Sequence, residues 1–121
     1  MEIKRQPAKS FRDLIVWQKA HELVLGVYKV TKDFPKEEVY ALTSQIRRSS
    51  MSVAANIAEA FKKKSNLDKI RILNIAQGSL SETEYFLILA KDLKYGDMNE
   101  LMALADQVGR ILESYIKAIK R

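Results

Sequence analysis

Apolar residues in this chain return every three or four positions, and that period leaves little open to it except packed helices. Val16, Ala20, Leu23, Val27, Val30 and Phe34 step alternately by four and three, which keeps them on one stripe of a helix turning 3.6 residues at a time. Val39, Leu42, Ile46, Ser49, Val53, Asn56 and Ala60 form a second stripe. A third segment offers Ile70, Leu73, Leu80, Leu87 and Ala90 as inward residues, and a fourth carries Leu101, Leu104, Val108, Ile111, Tyr115 and Ile119. No period-two alternation competes for a strand.

Start and stop signals divide the pattern into four. Ser10-Phe11-Arg12-Asp13 has the form of a capping box, so the first helix is expected to begin there. Asp33-Phe34-Pro35 breaks it, and Glu37 and Glu38 suit the positive end of a second helix starting near Lys36 and running to about Lys63. Ser65-Asn66-Leu67-Asp68 opens the third, which Gly96 is expected to end, and Asp97-Met98-Asn99-Glu100 opens a fourth that reaches the terminus. Connections of about two to four residues make consecutive helices fold back on each other. The expected fold is therefore all-α, an antiparallel up-down-up-down four-helix bundle over residues 10–121, preceded by a flexible arm at residues 1–9.

Length and composition bound the function. A chain of 121 residues is one domain's worth, and 47% apolar with 30% charged residues is a folding composition. Without cysteine there is no disulfide framework, cysteine zinc site or thiol chemistry, and a reducing cytoplasm fits. The N-terminal residues lack the apolar core of a signal peptide, and the longest unbroken apolar run is only Tyr85 to Ala90, so no membrane association is expected. His21 is the one histidine. It is read as a surface or boundary residue, because di-iron bundles need Glu-x-x-His pairs on two helices. Neither a metal nor a cofactor is expected.

The net charge of +6 is uneven: residues 1–64 hold thirteen Lys/Arg against seven Asp/Glu, whereas residues 65–121 hold eight of each. A basic surface attracts polyanions by releasing their counterions, which makes nucleic acid the natural partner, ahead of an acidic membrane as the weaker candidate. The candidate contacts are Arg47 and Arg48, then Lys62, Lys63 and Lys64, with Lys9 and Arg12 beside Lys4 and Arg5 in the arm. On an ideal helix Arg48, Lys62 and Lys63 fall within about 60° of one another, though roughly 21 Å apart. The plainer reading is solvated charge, with the lysines at the negative end of a helix.

Two other groupings stand out. The first and last helices carry more apolar residues than one face needs, and Leu14, Trp17, Val24, Tyr28, Met102, Leu112 and Ile116 are assigned to subunit contacts in a homo-oligomer. A broad core face is the alternative. Ser49 to Ala60 is dominated by small side chains, a packing signal for which Gly78 and Ser79 are the expected partners. Asn56 on the stripe and Glu59 at its edge read as polar groups that pair locally and set helix register.

Several segments together resemble the four-helix-bundle proteins encoded within intervening sequences of bacterial 23S rRNA genes. They are Phe11-Arg12-Asp13-Leu14-Ile15-Val16-Trp17-Gln18-Lys19-Ala20, Phe34-Pro35 with Glu38, Tyr40, Leu42 and Gln45-Ile46-Arg47-Arg48, Ser52 to Glu59, and Ala76-Gln77-Gly78-Ser79-Leu80 with Glu82. Ala60 stands where that family usually has Gly. The resemblance implies a pentameric barrel, and a similar protein, the accessory factor of diversity-generating retroelements, binds nucleic acid and a reverse transcriptase. It thus points to a non-enzymatic, ring-forming RNA or DNA binder, with Arg47 and Arg48 the first residues to carry over. The alternative is a protein-interaction scaffold, for example for a reverse transcriptase. An enzyme completed in the oligomer through Glu59 or Glu82 has no nucleophile–base pair or phosphate loop behind it.

Overall fold

The computed structural model describes residues 7–121, so most of the arm expected at residues 1–9, with Lys4 and Arg5, lies outside the described residues. Four helices dominate: α1 Ile15–Thr31, α2 Leu42–Lys62, α3 Asn66–Asp92 and α4 Asn99–Lys120, with no strand among the described residues. Helix α1 packs on α2 and α4, α2 on α3, and α3 on α4.

Two helices start later than their sequence signals suggest. The Ser10 capping box forms, with Asp13 accepting from the amides of Lys9 (2.8 Å) and Ser10 (3.1 Å). It closes a separate 3-10 turn, Phe11–Asp13, because Leu14 is extended (φ −79°, ψ 126°) and α1 begins only after it. Past Pro35 a second 3-10 turn, Lys36–Glu38, delays α2 to Leu42. Glu38 closes that gap: its carboxylate accepts from the Leu42 amide (3.4 Å) and from the Tyr95 hydroxyl (2.7 Å) in the α3–α4 connection. Val39, expected on the inward stripe, consequently sits in the turn and is exposed.

At the other ends, Ser65 caps α3 by accepting from the Asp68 amide (3.1 Å). Helix α3 stops four residues before Gly96. Its stop is Lys94 at φ 62°, with the Lys94 amide bonded to Lys91 O and the Tyr95 amide to Ala90 O, both at 3.0 Å. That pair of bonds is the six-to-one, five-to-two closure usually built on glycine. Asp97 accepts from the Asn99 amide (2.9 Å) in place of the expected capping box.

The core runs the length of the four helices through Leu23, Val27, Ile46, Val53, Ile57, Leu73, Leu87, Val108 and Leu112, all fully buried. Each such side chain stabilises the fold by roughly 1.5–3 kcal/mol on burial. On α4 the buried row is Leu101, Ala105, Val108, Leu112 and Ile116, whereas Leu104, Ile111, Tyr115 and Ile119 are only half-buried. Leu112 and Ile116, assigned from sequence to a subunit surface, are therefore core residues of the single chain. The apolar arc of α4 is wide enough for either row to face inward, and packing against α1 and α3 selected this one.

The small-residue stretch of α2 does meet α3, through hydroxyls. Ser52 and Ser79 share a hydrogen bond of 2.8 Å, and Thr83 donates to Ser49 at 2.8 Å with Ser79 O as a second acceptor at 2.9 Å. Asn56 pairs locally, donating to Ser52 O (2.7 Å) and Ser52 Oγ (3.0 Å). Gly78 does not share in this packing, because a Cβ placed there would meet nothing within 4 Å. The close backbone approach is instead at Gly26, where a Cβ would run into the side chain of Leu101.

Candidate nucleic-acid interface

The end of α1, the Lys36–Glu38 turn and the start of α2 enclose a groove of about 620 Å³. Arg47 forms its base. Its Nε donates to Thr31 Oγ1 at 2.9 Å, and its guanidinium carbon lies 4.5 Å from the centroid of the Tyr28 ring. Thr31 is oriented for this by donating to Val27 O at 2.7 Å, and the Tyr28 hydroxyl donates to the Met51 sulfur at 3.4 Å. Arg47 is thus half-buried and held over the Tyr28 ring by its Nε bond, an arrangement that needs the Nε donor a lysine lacks.

Around it stand Lys32, Lys36 and Arg48, all exposed. Four of the groove-lining residues are cationic and none is acidic. Asp33, Glu37 and Glu38 lie in the same α1–α2 connection but do not line the groove. Thr43 and Ser44, in the first turn of α2, also form the wall. First-turn amides have no intrahelical acceptor, and a helix N-terminus favours anions. The Thr43 hydroxyl is buried there with no partner. Tyr40 stands at the rim, 96% exposed. On its other side Arg48 borders a smaller groove of about 270 Å³ with Gln45, Ser52, Ser79 and Glu82.

The structure does not join the other expected cations to this groove. Tyr28 meets Met51 and Thr31 meets Arg47, so the contacts between α1 and α2 run in opposite order along the two helices. The start of α1 therefore lies by the end of α2, and the Phe11–Asp13 turn packs on α2. Lys9, Arg12, Lys62, Lys63 and Lys64 collect at that end, about 21 Å along α2 from Arg48 at about 1.5 Å per residue. Lys63 is paired with Glu59 at 4.0 Å. The carbonyl end of α2 is met by Lys69, which donates to Ala60 O (3.2 Å) and Phe61 O (2.9 Å), and not by the lysine run. Lys32, Lys36 and Tyr40 were not singled out as site residues by sequence reasoning, and Tyr28 was assigned to a subunit contact, because the four come from three separate segments; the only available signal was Tyr40 lying close before Arg47 and Arg48.

The apolar residues expected at subunit contacts are distributed differently. Leu14, Trp17, Val24 and Met102 are half-buried against the core. Trp17 is further covered by Phe11, edge-on at 5.0 Å, and by His21, stacked at 5.0 Å. Tyr28 is taken up by Arg47. Leu14 borders a groove of about 730 Å³ between the start of α1 and the end of α4, with Ile15, Ile111 and Tyr115. Burial pushes the Tyr115 phenol up from its ordinary value. Among the described residues no group of three or more His, Asp or Glu is arranged to hold a metal, and no helix is long and apolar enough to cross a membrane.

The model of the 23S rRNA-intervening sequence protein family matches residues 12–114, which takes in all of α1, α2 and α3 and most of α4. The chain belongs to that family. A solved structure of a protein of unknown function from the S23 ribosomal protein family of Bacteroides thetaiotaomicron is 31% identical, with a TM-score of 0.78 over 85% of this chain and 96% of the other. No curated protein matches. The groove with Arg47 and Arg48 and the polar α2–α3 seam both lie inside the matched span of this intervening-sequence family chain.

Proposed function

We propose that the protein is a non-enzymatic, homo-oligomeric scaffold that binds nucleic acid through the α1–α2 groove. The observation that carries this reading is the gathering of Lys32, Lys36, Arg47 and Arg48 around one concavity with no carboxylate in its lining. Such a surface attracts phosphates by counterion release, and its affinity falls with salt. The subunit is taken as an up-down-up-down bundle, which the reversed order of the α1–α2 and α2–α3 contacts supports. Copies assemble into a ring, the pentamer that the family resemblance implies, and work in the cytoplasm. The Leu14–Tyr115 groove and the exposed face of α3 bearing Ile75, Gly78 and Tyr85 are the apolar surfaces available to a second copy. Multivalency then makes a modest groove effective.

The test is binding of RNA and DNA across a salt series. With the three exposed cations Lys32, Lys36 and Arg48 contacting phosphates, log K should fall with log salt at a slope of about −2 to −3. Lys32→Ala with Arg48→Ala should weaken binding about uniformly across sequences, and Lys62→Ala with Lys64→Ala much less. No detectable binding of either nucleic acid at low salt rejects the reading.

The exposed Ile75, Tyr85 and Ile88 on α3 favour a second reading, a protein-interaction scaffold whose partner could be a reverse transcriptase. Such a partner should stay bound after nuclease treatment of the native complex, and its loss with the nucleic acid would count against this reading.

A further inference from the structure

Two tyrosines share the basic groove, and they are used in opposite ways. One face of Tyr28 is already occupied by the Arg47 guanidinium at 4.5 Å. Tyr40, in the turn before α2, is 96% exposed, and its ring stacks on no other aromatic residue among those described. An isolated exposed aromatic needs no explanation by itself. This one lines the same groove as Lys36 and Arg48, in a concavity whose lining holds four cations and no acid.

We infer that the groove takes a single-stranded segment of nucleic acid, with an unpaired base stacked on Tyr40 and the adjoining phosphates held by Lys36, Arg48 and Lys32. The inference rests on the nucleic-acid reading above and narrows its ligand. An aromatic face next to a line of cations is the arrangement by which proteins hold single strands, since every base has a π-face and the backbone supplies the charge. In a duplex those faces are already stacked on neighbouring pairs, and exposing one costs a few kcal/mol. The groove's volume of about 620 Å³ suits a ligand of nucleotide size. Arg47, already bonded to Thr31 and laid on Tyr28, contributes a fixed positive floor and not a mobile contact. The role of Tyr40 is that of a flat surface, so it needs the ring and not the hydroxyl.

The experiment compares three probes of one sequence on the full chain at low salt: a single-stranded RNA oligonucleotide, its DNA counterpart, and the RNA duplex. Each is titrated into the native protein and the Tyr40→Ala, Tyr40→Phe and Tyr40→Trp variants, with mass followed by light scattering. The expected result is that a single strand binds about tenfold tighter than the duplex, the worth of one stacked base. Tyr40→Ala should abolish that margin without changing duplex affinity or mass, Tyr40→Phe and Tyr40→Trp should keep it, and the new tryptophan should be quenched by the single strand. Whether the RNA or the DNA strand binds tighter identifies the source. Equal or tighter binding of the duplex, or unchanged single-strand affinity in Tyr40→Ala, overturns the inference while the nucleic-acid reading stands. A change of mass in Tyr40→Ala also overturns it, since the ring would then belong to a subunit contact. Failure of all three probes to bind the native protein removes the broader reading as well.

Discussion

Arg47 lies across the ring of Tyr28, 4.5 Å from its centroid, while its Nε donates to Thr31 on the same helix, α1, at 2.9 Å. One guanidinium thus ties the start of α2 to the end of α1 and sets the charge of the groove floor. A lysine retains the charge but neither the planar contact nor the Nε donor. Arg47→Lys should lower stability by about 1 kcal/mol in urea unfolding, the scale of a half-buried cation–π contact. Arg48→Lys, at an exposed position, should leave the midpoint unchanged.

The glycines of α1 and α3 should respond with opposite sign. A methyl group at Gly26 meets the terminal methyl of Leu101, so Gly26→Ala should lose about 1–3 kcal/mol by overpacking α1 against α4, more than the roughly 1 kcal/mol it gains in helix propensity. Gly78 has open space where its Cβ would be, so Gly78→Ala should stabilise an isolated subunit by up to about 1 kcal/mol, the helix-propensity difference. If α3 meets a second copy at this point, the same substitution should shift light-scattering mass toward smaller species, whereas unchanged mass would place the contact elsewhere.

The α2–α3 seam is coupled through Thr83 and Ser49, whose hydroxyls lie 2.8 Å apart in a buried position. Thr83→Val keeps the shape and removes the donor to the Ser49 oxygen, whose own proton stays bonded to Ile46 O at 3.2 Å, at a cost of about 1 kcal/mol. Ser49→Ala deletes the same bond from its other side, so the double variant should be less destabilised than the sum of the two single ones. Additive losses in a double-mutant cycle would show that the bond carries no coupling.

Acid should act on the Phe11–Asp13 turn only below the pH at which an ordinary aspartate takes up its proton. The amides of Lys9 and then Ser10 hold the Asp13 carboxyl below its ordinary value. A depressed folded pKa means that its contribution is present at neutral pH and is lost as pH falls through that folded value, below the usual aspartate range. The Lys9 and Ser10 amide resonances should therefore move together with Asp13 protonation, and Asp13→Asn should abolish that titration. Amide shifts at higher pH, or persisting in Asp13→Asn, would assign them to another group.

What was legible in the sequence is what depends on neighbours three or four residues away. The helical period, the four segments, the Ser10 and Ser65 caps and the α1 stripe through Val16, Ala20, Leu23 and Val27 are local properties, and the structure has them where the pattern puts them. The family resemblance is likewise carried by sequence. Helix edges were less legible, because Leu14, Glu38 and Lys94 end or delay helices through contacts and backbone angles that composition does not announce.

Only the tertiary structure decided the rest. A stripe specifies an arc on a helix but not the direction in which the helix is turned, so Leu112 and Ile116 could enter the core while Leu104 and Ile111 moved to its edge. Charge has no period at all: the distance from Arg48 to Lys62 and Lys63 along α2 could be read from helix rise, but Arg47 and Arg48 were joined to Lys32 and Lys36 only because α1 and α2 run past each other. Gly26 and Gly78 are indistinguishable as letters. Packing alone made one a close contact and left the other open to whatever lies outside the chain.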